Sequence, residues 1–569
     1  MAGILVERNL PVEMRDGVRL LADVYRPADG GQRPVLLQRT AYDKSRGQLA
    51  SSMLDPLRAV EAGYAVVIQD CRGRYASDGE WLPFHCEIPD GYDTVEWCAA
   101  QNWANGRVGM YGISYVGATQ WLAAIATPPH LQAIFPALTA ADYHDGWIYL
   151  GGAFNLSFTA AWAAQFLALP QLARLGLAPD ERRHEEARLW QALERLRRTL
   201  SHLPLGELPL LRREGLAPYF YEWLQHPDDD AFWRSCSILE HHANIAVPAF
   251  NFGGWYDLFL AGPPRNFAGL REHAKTEQAR RGQKLLIGPW THNSPSITQA
   301  GETNWGYGAA VQMDDLQLRW FDHWLRDLDT GLLDEPPVRL YVMNEGWRDE
   351  QEWPLARTQY TPFYLHSAGR ANSLDGDGKL SQDQPAGEQP DVFLYNPLNP
   401  VPTVGAAGVW DQRPAERRTD VLVYSTAPLR EAIEATGPVQ LALWASSSAP
   451  DTDFTAKLVD VAPDGRARNL CDGILRARCR DGGERPALLE PGKPYELHID
   501  MLMTSNLFQP GHQIRVEVSS SNFPRYDRNP NTGEPAAAAR DWRPAVQTIY
   551  HDADHPTHLL LPLIPRGRT

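Results

Sequence analysis

Short apolar runs alternate with amphipathic stretches over the first 140 residues. Residues 33–39 and 63–70 are apolar runs of strand length, and residues 56–62 between them have the pattern of a helix that ends at Gly63. Strands that alternate with helices along a chain indicate a mostly parallel sheet covered by helices. This part of the chain is therefore predicted to begin an α/β domain.

Strand-like runs disappear between residues 141 and 242 and return at residues 245–252 and 283–287. Within the gap, residues 179–200 carry leucines at helical spacing, with Arg and Glu on the opposite face. These leucines are Leu189, Leu193, Leu196 and Leu200. A helix of this kind either closes over a site as a lid or packs against its neighbours, and the pattern leaves both interpretations open. We predict that residues 141–242 form a helical insert in an α/β domain made of residues 1–140 and 243–352.

The pattern changes again after a helix-like segment at residues 316–328. Short runs, several of them alternating between apolar and polar residues, are separated by Gly, Pro, Asp and Asn, as is typical of an all-β sandwich. These runs are residues 362–366, 421–424, 439–444, 454–460 and 513–518. Residues 371–400, rich in Gly, Asp, Ser and Pro, are predicted to be a surface loop. Residues 353–569 are therefore expected to form a separate β domain.

Composition and charge exclude several classes of function. The chain has 569 residues, of which 43% are apolar and 22% charged, a balance typical of a folded protein of several domains. Its formal charge of −16 disfavours a nucleic-acid or anionic-membrane binder, because both require a basic surface. Nineteen tryptophans outnumber the methionines, which indicates well-packed cores or an aromatic-lined site.

The cysteines and the N-terminus give no sign of metal binding or secretion. The six cysteines form no Cys-x-x-Cys pair and no cluster with histidine, so we expect no metal and no other cofactor. No apolar run reaches about 18 residues, and no secretory signal is visible. We expect a cytoplasmic protein that makes no contact with membranes.

The strongest local signal surrounds Ser114. An apolar run leads to Gly112, Ser114 follows at an expected sharp turn, and a helix-like segment begins after it. This order is typical of a nucleophile elbow, in which a strand-to-helix turn presents a serine hydroxyl at the carboxyl edge of a sheet. The second glycine of the strict Gly-x-Ser-x-Gly pattern comes one place late, at Gly117, with Val116 in its usual position. An ordinary Gly/Ser turn is the alternative.

A serine nucleophile requires a base, and the base requires an orienting carboxylate. Asp257 follows the strand-like run at residues 247–252, and His292 follows the one at residues 284–287. The order Ser, Asp, His is the order used in α/β-hydrolase sheets. The sequence thus predicts a triad of Ser114, Asp257 and His292.

Asp70 is the rival candidate for the triad acid, because it also follows a strand-like run. It precedes the serine, however, and Arg72 and Arg74 lie beside it. This arrangement favours a structural ion pair with these arginines.

Residues 112–117, Gly-Ile-Ser-Tyr-Val-Gly, match the pattern Gly-x-Ser-Tyr-x-Gly, and here the chain resembles the bacterial cocaine-esterase and α-amino-acid ester hydrolase family. Supporting segments, at residues 14–20, 39–44, 70–79, 254–257, 288–292, 452–460 and 519–524, extend the resemblance over nearly the whole chain. It implies an α/β-hydrolase domain, an inserted helical domain and a C-terminal jelly roll shared with X-Pro dipeptidyl-peptidases. It also implies a serine esterase with a small-molecule ester as substrate, and it is compatible with a homodimer.

Two hydrogen-bond donors are needed for the oxyanion that forms during acyl transfer. The backbone N–H of Tyr115, the residue after the nucleophile, is expected to be one of them. The resemblance implies that the phenol of Tyr42 is the other.

The acyl group is expected to be neutral. Family members that act on α-amino acyl esters carry acidic residues near the triad aspartate, whereas residues 258–260 are Leu-Phe-Leu, and an apolar wall does not compensate a buried cation. The resemblance implies that Trp147, Trp162 and Phe259 line an aromatic or aliphatic acyl pocket, with core packing as the alternative for each. Residues 402–410 look shorter than the family's segment that closes this pocket.

The triad alone leaves the type of reaction open. A carboxylesterase is the favoured interpretation, and an acylase or a dipeptidyl-peptidase-type amide hydrolase is the alternative, since the same triad cleaves both bonds. A non-catalytic protein whose jelly roll binds carbohydrate is a third interpretation.

Overall fold

The computed structural model describes residues 3–46, 54–483 and 486–566. Its first sheet has ten strands, in the spatial order β1-β2-β4-β3-β5-β6-β9-β10-β13-β14 once strands are numbered along the chain. The strands up to residue 350 are β1 Ile4–Glu13, β2 Arg19–Pro27, β3 Arg33–Thr40, β4 Ala65–Asp70, β5 Ala104–Ile113, β6 Leu131–Ala137, β7 Tyr149–Leu150, β8 Ala153–Phe154, β9 Phe250–Gly254, β10 Lys284–Gly288, β11 Gln299–Ala300, β12 Thr303–Asn304, β13 Val338–Val342 and β14 Gly346–Glu350. The seven strands from β4 to β13 in the spatial order are parallel, which confirms the predicted parallel sheet.

All helices but the last cover the faces of this sheet or build the insert, and the last lies in the C-terminal part. They are α1 Pro56–Glu61, α2 Glu87–Ala99, α3 Tyr115–Ile125, α4 Leu156–Trp162, α5 Leu169–Gln171, α6 Pro179–Glu194, α7 Leu196–Thr199, α8 Pro218–Gln225, α9 Ala231–Arg234, α10 Gly262–His273, α11 Glu277–Arg281, α12 Met313–Arg326 and α13 Arg413–Glu416. A π-helical stretch, Ala163–Ala168, joins α4 to α5.

The middle parts of the central strands are mostly apolar because both faces of the sheet are buried. Along β4, Val67 belongs to the core under α2, α3 and the insert, whereas Val66 and Ile68 belong to the core under α12. A strand that is buried on both sides needs no polar face, so it appears as a continuous apolar run rather than an alternating one.

The insert lies between β6 and β9, which both belong to the ten-stranded sheet, and it contains β7 and β8, which pair only with each other. The helix predicted over residues 179–200 is interrupted at Arg195, whose backbone leaves the helical region (φ −110°, ψ 32°). Leu189 and Leu200 are fully buried in the main core, so this part of the apolar face packs against neighbours. Leu193 and Leu196 are partly buried against the same core, and Leu196 also lines the cavity described below, so the lid interpretation stays a prediction.

The C-terminal part forms an all-β unit, as predicted. Its strands are β15 Gln359–His366, β16 Lys379–Ser381, β17 Asp391–Tyr395, β18 Leu422–Ser425, β19 Ile433–Ser447, β20 Asp453–Val461, β21 Ala467–Arg476, β22 Tyr495–Phe508, β23 Gln513–Ser519, β24 Ala545–Tyr550 and β25 His558–Ile564. The prediction of a surface loop at residues 371–400 is wrong in part, because this segment contains β16 and β17. The apolar side chains of β17 alternate between buried and exposed, and the strand pairs with β24, which no local signal predicts.

Within the described ranges, no helix is long and apolar enough to cross a membrane. In the same part of the chain, no group of three or more His, Cys, Asp or Glu side chains is arranged to hold a metal ion.

Candidate active site

Ser114 lies between the end of β5 and the start of α3. Its backbone is in the left-handed region (φ 62°, ψ −127°), a strained conformation for a residue with a side chain. The turn is held by hydrogen bonds: the Ser114 N–H donates to Ala137 O at 2.9 Å, and the Ser114 carbonyl accepts from Gly117 and Ala118 at 2.8 and 2.9 Å. This geometry is that of a nucleophile elbow.

The late glycine of the elbow has a steric explanation. A Cβ on Gly112 would lie 2.2 Å from Val116 Cγ1, so Val116 fills the space that this glycine leaves. A Cβ on Gly117 would lie 2.9 Å from Thr139 Cβ and 3.1 Å from Ala137 O. Glycine is therefore needed at residue 117, where α3 contacts the chain after β6, and not at residue 116.

Asp257 and His292 follow β9 and β10, which are neighbouring parallel strands. The His292 Nδ1 and Asp257 Oδ2 atoms are 2.7 Å apart, and Asp257 Oδ1 accepts the Phe259 N–H at 2.6 Å. The Asp257 side chain is 1% exposed and that of His292 is 25% exposed. Because Nδ1 is bonded to the carboxylate, Nε2 is the nitrogen left for proton transfer. The structure thus places both residues at the same sheet edge as Ser114.

Tyr42 follows β3 and lies at the same edge. Its phenol oxygen accepts the indole N–H of Trp162 at 2.9 Å, and the Ser114 side chain lies nearby. Burial raises the pKa of Tyr42 well above its ordinary value of 10, so the phenol keeps its proton and remains a donor.

Tyr115 is the first residue of α3, so its N–H has no acceptor within the helix. Its side chain is fully buried, and its phenol donates to Glu87 Oε1 at 3.0 Å and accepts the Phe84 N–H at 3.0 Å. The ring is therefore engaged in the core, and only the backbone N–H of Tyr115 suits an oxyanion.

The three predicted pocket aromatics lie together beside His292. Trp147 stacks on Phe259 with ring centroids 4.1 Å apart and lies 5.4 Å from Trp162, and the edge of Phe259 meets the His292 imidazole at 5.2 Å. Sequence reasoning missed Phe158, which lies 5.4 Å from Phe259 and stacks on Trp162 at 6.0 Å. Its position four residues before Trp162 on one helix is a signal that could have identified it.

Asp70 does not form the predicted ion pair with Arg72 and Arg74. Its carboxylate accepts the Lys44 N–H at 2.8 Å and lies 3.7 Å from the Lys44 ammonium. Arg72 instead pairs with Asp90 at 2.6 Å, and Arg74 donates to three main-chain carbonyls. These contacts agree with the prediction that Asp70 is structural rather than the partner of His292. The predicted ion-pair partners, Arg72 and Arg74, were wrong, because the cationic partner of Asp70 is Lys44.

A cavity of about 370 Å³ lies next to Asp257, between the insert and the β domain. One wall is apolar and includes Phe158, Leu258 and Leu260. The opposite wall includes the small residues of segment 403–408 together with polar side chains of the β domain. The segment that looks short in the sequence therefore borders open space beside the candidate triad.

Two family models match the chain. That of the X-Pro dipeptidyl-peptidase (S15 family) matches residues 16–294, and that of the X-Pro dipeptidyl-peptidase C-terminal non-catalytic domain matches residues 330–560.

Known proteins are similar over almost the full length. Cocaine esterase of Rhodococcus sp. (strain MB1 Bresler) is 42% identical over 99% of both chains. Among solved structures, an aminopeptidase from the marine sediment archaeon Thaumarchaeota archaeon has a TM-score of 0.82 at 26% identity, covering 99% of this chain and 96% of that one. An α-amino acid ester hydrolase has a TM-score of 0.80 at 26% identity, covering 98% and 96%.

Proposed function

Because the chain belongs to the cocaine-esterase (CocE/NonD) family of serine hydrolases, we propose that it hydrolyses carboxylic esters with a neutral, hydrophobic acyl group through Ser114, His292 and Asp257. The observation that carries this proposal is the 2.7 Å contact between His292 Nδ1 and Asp257 Oδ2 at the sheet edge where the strained Ser114 turn ends β5.

The chemistry proceeds in two halves. Ser114 Oγ attacks the ester carbonyl while His292 Nε2 takes its proton, and Asp257 stabilises the imidazolium that forms. The imidazolium then protonates the departing alcohol as the carbon–oxygen bond breaks, which leaves an acyl group on Ser114. Water attacks the acyl-enzyme with His292 again as base, and the acid is released.

Two donors are proposed for the oxyanion, the backbone N–H of Tyr115 and the phenol O–H of Tyr42. The N–H at the start of α3, which has no acceptor within the helix, and the Tyr42 ring, whose centroid lies 6.5 Å from that of Tyr115, support this assignment. A donor aimed at a developing oxyanion lowers the activation barrier by about 3 kcal/mol in comparable sites.

Selectivity for a neutral acyl group is supported by the surroundings of Asp257. The cluster of Trp147, Phe158, Trp162 and Phe259 lies beside His292, with Phe158 on the cavity wall and the other three buried. The loop after Asp257 places Leu258 and Leu260 on the same wall rather than a carboxylate. A buried ammonium would lose its hydration there without compensation. We assign the cavity beside segment 403–408 to the acyl group of the ester.

The test is turnover of nitrophenyl esters by the wild type, Ser114→Ala and His292→Ala, with Ser201→Ala, an exposed serine of the insert, as the matched control. We expect both triad variants to lose about a thousandfold or more in kcat and the control to keep the wild-type rate. Hydrolysis by Ser114→Ala at the wild-type rate would contradict the proposal.

Matched substrates test the reaction type and the acyl group. Isobutyryl and alanyl esters differ only by a methyl or ammonium group, and we expect the neutral isobutyryl ester to be preferred. Faster cleavage of the corresponding amides than of the esters would favour the amide hydrolase instead.

A further inference from the structure

The carboxyl group of Asp70 lies at the end of β4, beside the turn that carries Tyr42. In the parallel pairing of β3 with β4, Asp70 is the register partner of Thr40, the last residue before that turn. The Asp70 side chain is fully buried. Burying a carboxyl group is costly because the group loses its hydration. Since Asp70 lies beside the Tyr42 turn but outside the proposed triad, we expect its function to lie in its contacts with that turn.

The contacts of Asp70 all lead to the turn or to the loop after β4. Asp70 Oδ1 accepts the Lys44 N–H at 2.8 Å, and Oδ2 accepts the Ala76 N–H at 3.3 Å. The Asp70 carbonyl accepts the Ser77 hydroxyl at 2.7 Å. The carboxyl therefore ties the residue two places after Tyr42 to a neighbouring strand.

The ammonium of Lys44 completes a buried charge cluster. It donates to Asn9 Oδ1 at 2.6 Å and lies 3.4 Å from Asp23 Oδ1 and 3.7 Å from Asp70 Oδ2. Lys44 is only 5% exposed. One ammonium between two carboxylates and an amide oxygen attaches the end of the Tyr42 turn to both β2 and β4.

The turn itself is strained and needs such anchoring. Asp43, between Tyr42 and Lys44, has φ 80°, a conformation that side-chain-bearing residues rarely adopt. On the other side, the Tyr42 N–H donates to Thr40 Oγ1 at 3.0 Å. With both flanks fixed, the backbone of Tyr42 has little freedom to move its phenol away from Ser114.

We propose that Asp70 is a positioning residue for the reaction, which acts by holding the Lys44 end of the turn so that the Tyr42 phenol points at the oxyanion. The proposal rests on the function assigned above, in which Tyr42 is an oxyanion donor. It accounts for a buried acid at the carboxyl edge of the sheet that does not pair with His292.

A double-mutant cycle separates positioning through Tyr42 from a general structural role. The variants are Asp70→Asn, Tyr42→Phe and the double variant, with Asp391→Asn as matched control. Asp391 is an equally buried carboxylate of the β domain, bonded to His551 and Tyr424 and remote from Ser114 in the fold. Steady-state turnover of nitrophenyl acetate is measured for each variant, and thermal unfolding confirms that each variant is folded.

We expect Asp70→Asn to lower kcat about tenfold with KM changed less than about twofold, and Tyr42→Phe to lower kcat about a hundredfold. In the Tyr42→Phe background, Asp70→Asn should lower kcat by a further factor of less than about two, because the donor that Asp70 positions is already absent. Asp391→Asn should keep the wild-type kcat.

Equal tenfold losses from Asp70→Asn in both backgrounds would overturn the positioning role while leaving the proposed function intact. An unchanged kcat in Tyr42→Phe would overturn both the oxyanion assignment and this inference. If Asp70→Asn does not fold, Lys44→Met, which removes the ammonium and keeps the stem, is measured in the same cycle with the same expected non-additivity.

Discussion

The indole N–H of Trp162 donates a 2.9 Å hydrogen bond to the phenol oxygen of Tyr42. Because this oxygen accepts from Trp162, its own hydrogen remains available for another acceptor. Trp162, which the family resemblance implies to line the acyl pocket, thus also contacts the tyrosine that is proposed as an oxyanion donor. The insert therefore reaches Tyr42 as well as the aromatic cluster beside His292.

Trp162→Phe keeps an aromatic ring but removes the donor to Tyr42. We expect kcat for a small acetyl ester to fall about five- to tenfold, because a misaligned oxyanion donor stabilises the transition state less. Trp223→Phe is the matched control, because Trp223 stacks on Trp162 at 5.9 Å and its buried indole N–H has no hydrogen-bond partner among the described residues. Equal losses in both variants would show that ring volume rather than the hydrogen bond matters.

Leu258→Asp should change the acyl preference. Leu258 lines the cavity beside Asp257, so a carboxylate there would face the acyl side and compensate an ammonium. We predict that the ratio of kcat/KM for alanyl over isobutyryl esters rises about tenfold. Leu258→Asn, of the same size but uncharged, should leave the ratio near the wild-type value, and an equal rise in both variants would refute a charge effect.

Ala406→Phe should fill the cavity bordered by residues 403–408. Ala406 is exposed in the native chain and lines this cavity of about 370 Å³. We expect kcat/KM for a benzoyl ester to fall about tenfold, because the added ring competes for the same space, while an acetyl ester is turned over as before. A parallel loss for both esters would indicate damage to the triad instead.

The free energy of unfolding should depend on pH because of Asp70. Burial raises the pKa of Asp70 from 3.8 to about 6, so the folded state binds a proton there more tightly than the unfolded state. The proton-linked stability is fully present below the unfolded pKa and is lost as pH rises through about 6. The free energy of unfolding of the wild type, relative to Asp70→Asn, should therefore increase by about 1 kcal/mol between pH 7 and pH 5. Urea unfolding of both proteins at each pH checks this, and a difference that is flat or of opposite sign would be inconsistent with the raised pKa.

The layout of the fold follows from local patterns to a large extent. The parallel strands are continuous apolar runs, and the turn at Ser114 needs Gly112 for a steric reason that is visible as a motif. Strand β17 was missed because its apolar residues lie among Gly, Asp, Ser and Pro, and only its pairing with β24 makes it a strand. Pairing partners of this kind are distant in the chain and leave no local pattern.

The sequence predicts those candidate site residues that directly follow a strand. It does not predict contacts between residues that are distant in the chain. The positions of Asp257 and His292 after β9 and β10 are local features. The contact between Trp162 and Tyr42 joins residues 120 positions apart. Asp70 has two arginines as sequence neighbours and yet pairs with Lys44, because the fold directs the arginines to other partners.

The most direct test of the central claim is the mass of the intact protein after a reaction with a nitrophenyl isobutyryl ester is stopped by acid. The mechanism predicts a wild-type species heavier by one isobutyryl group, mapped by peptide digestion to Ser114 and absent from Ser114→Ala. An acyl group on another residue, or full hydrolytic activity of Ser114→Ala without an adduct, would contradict the account.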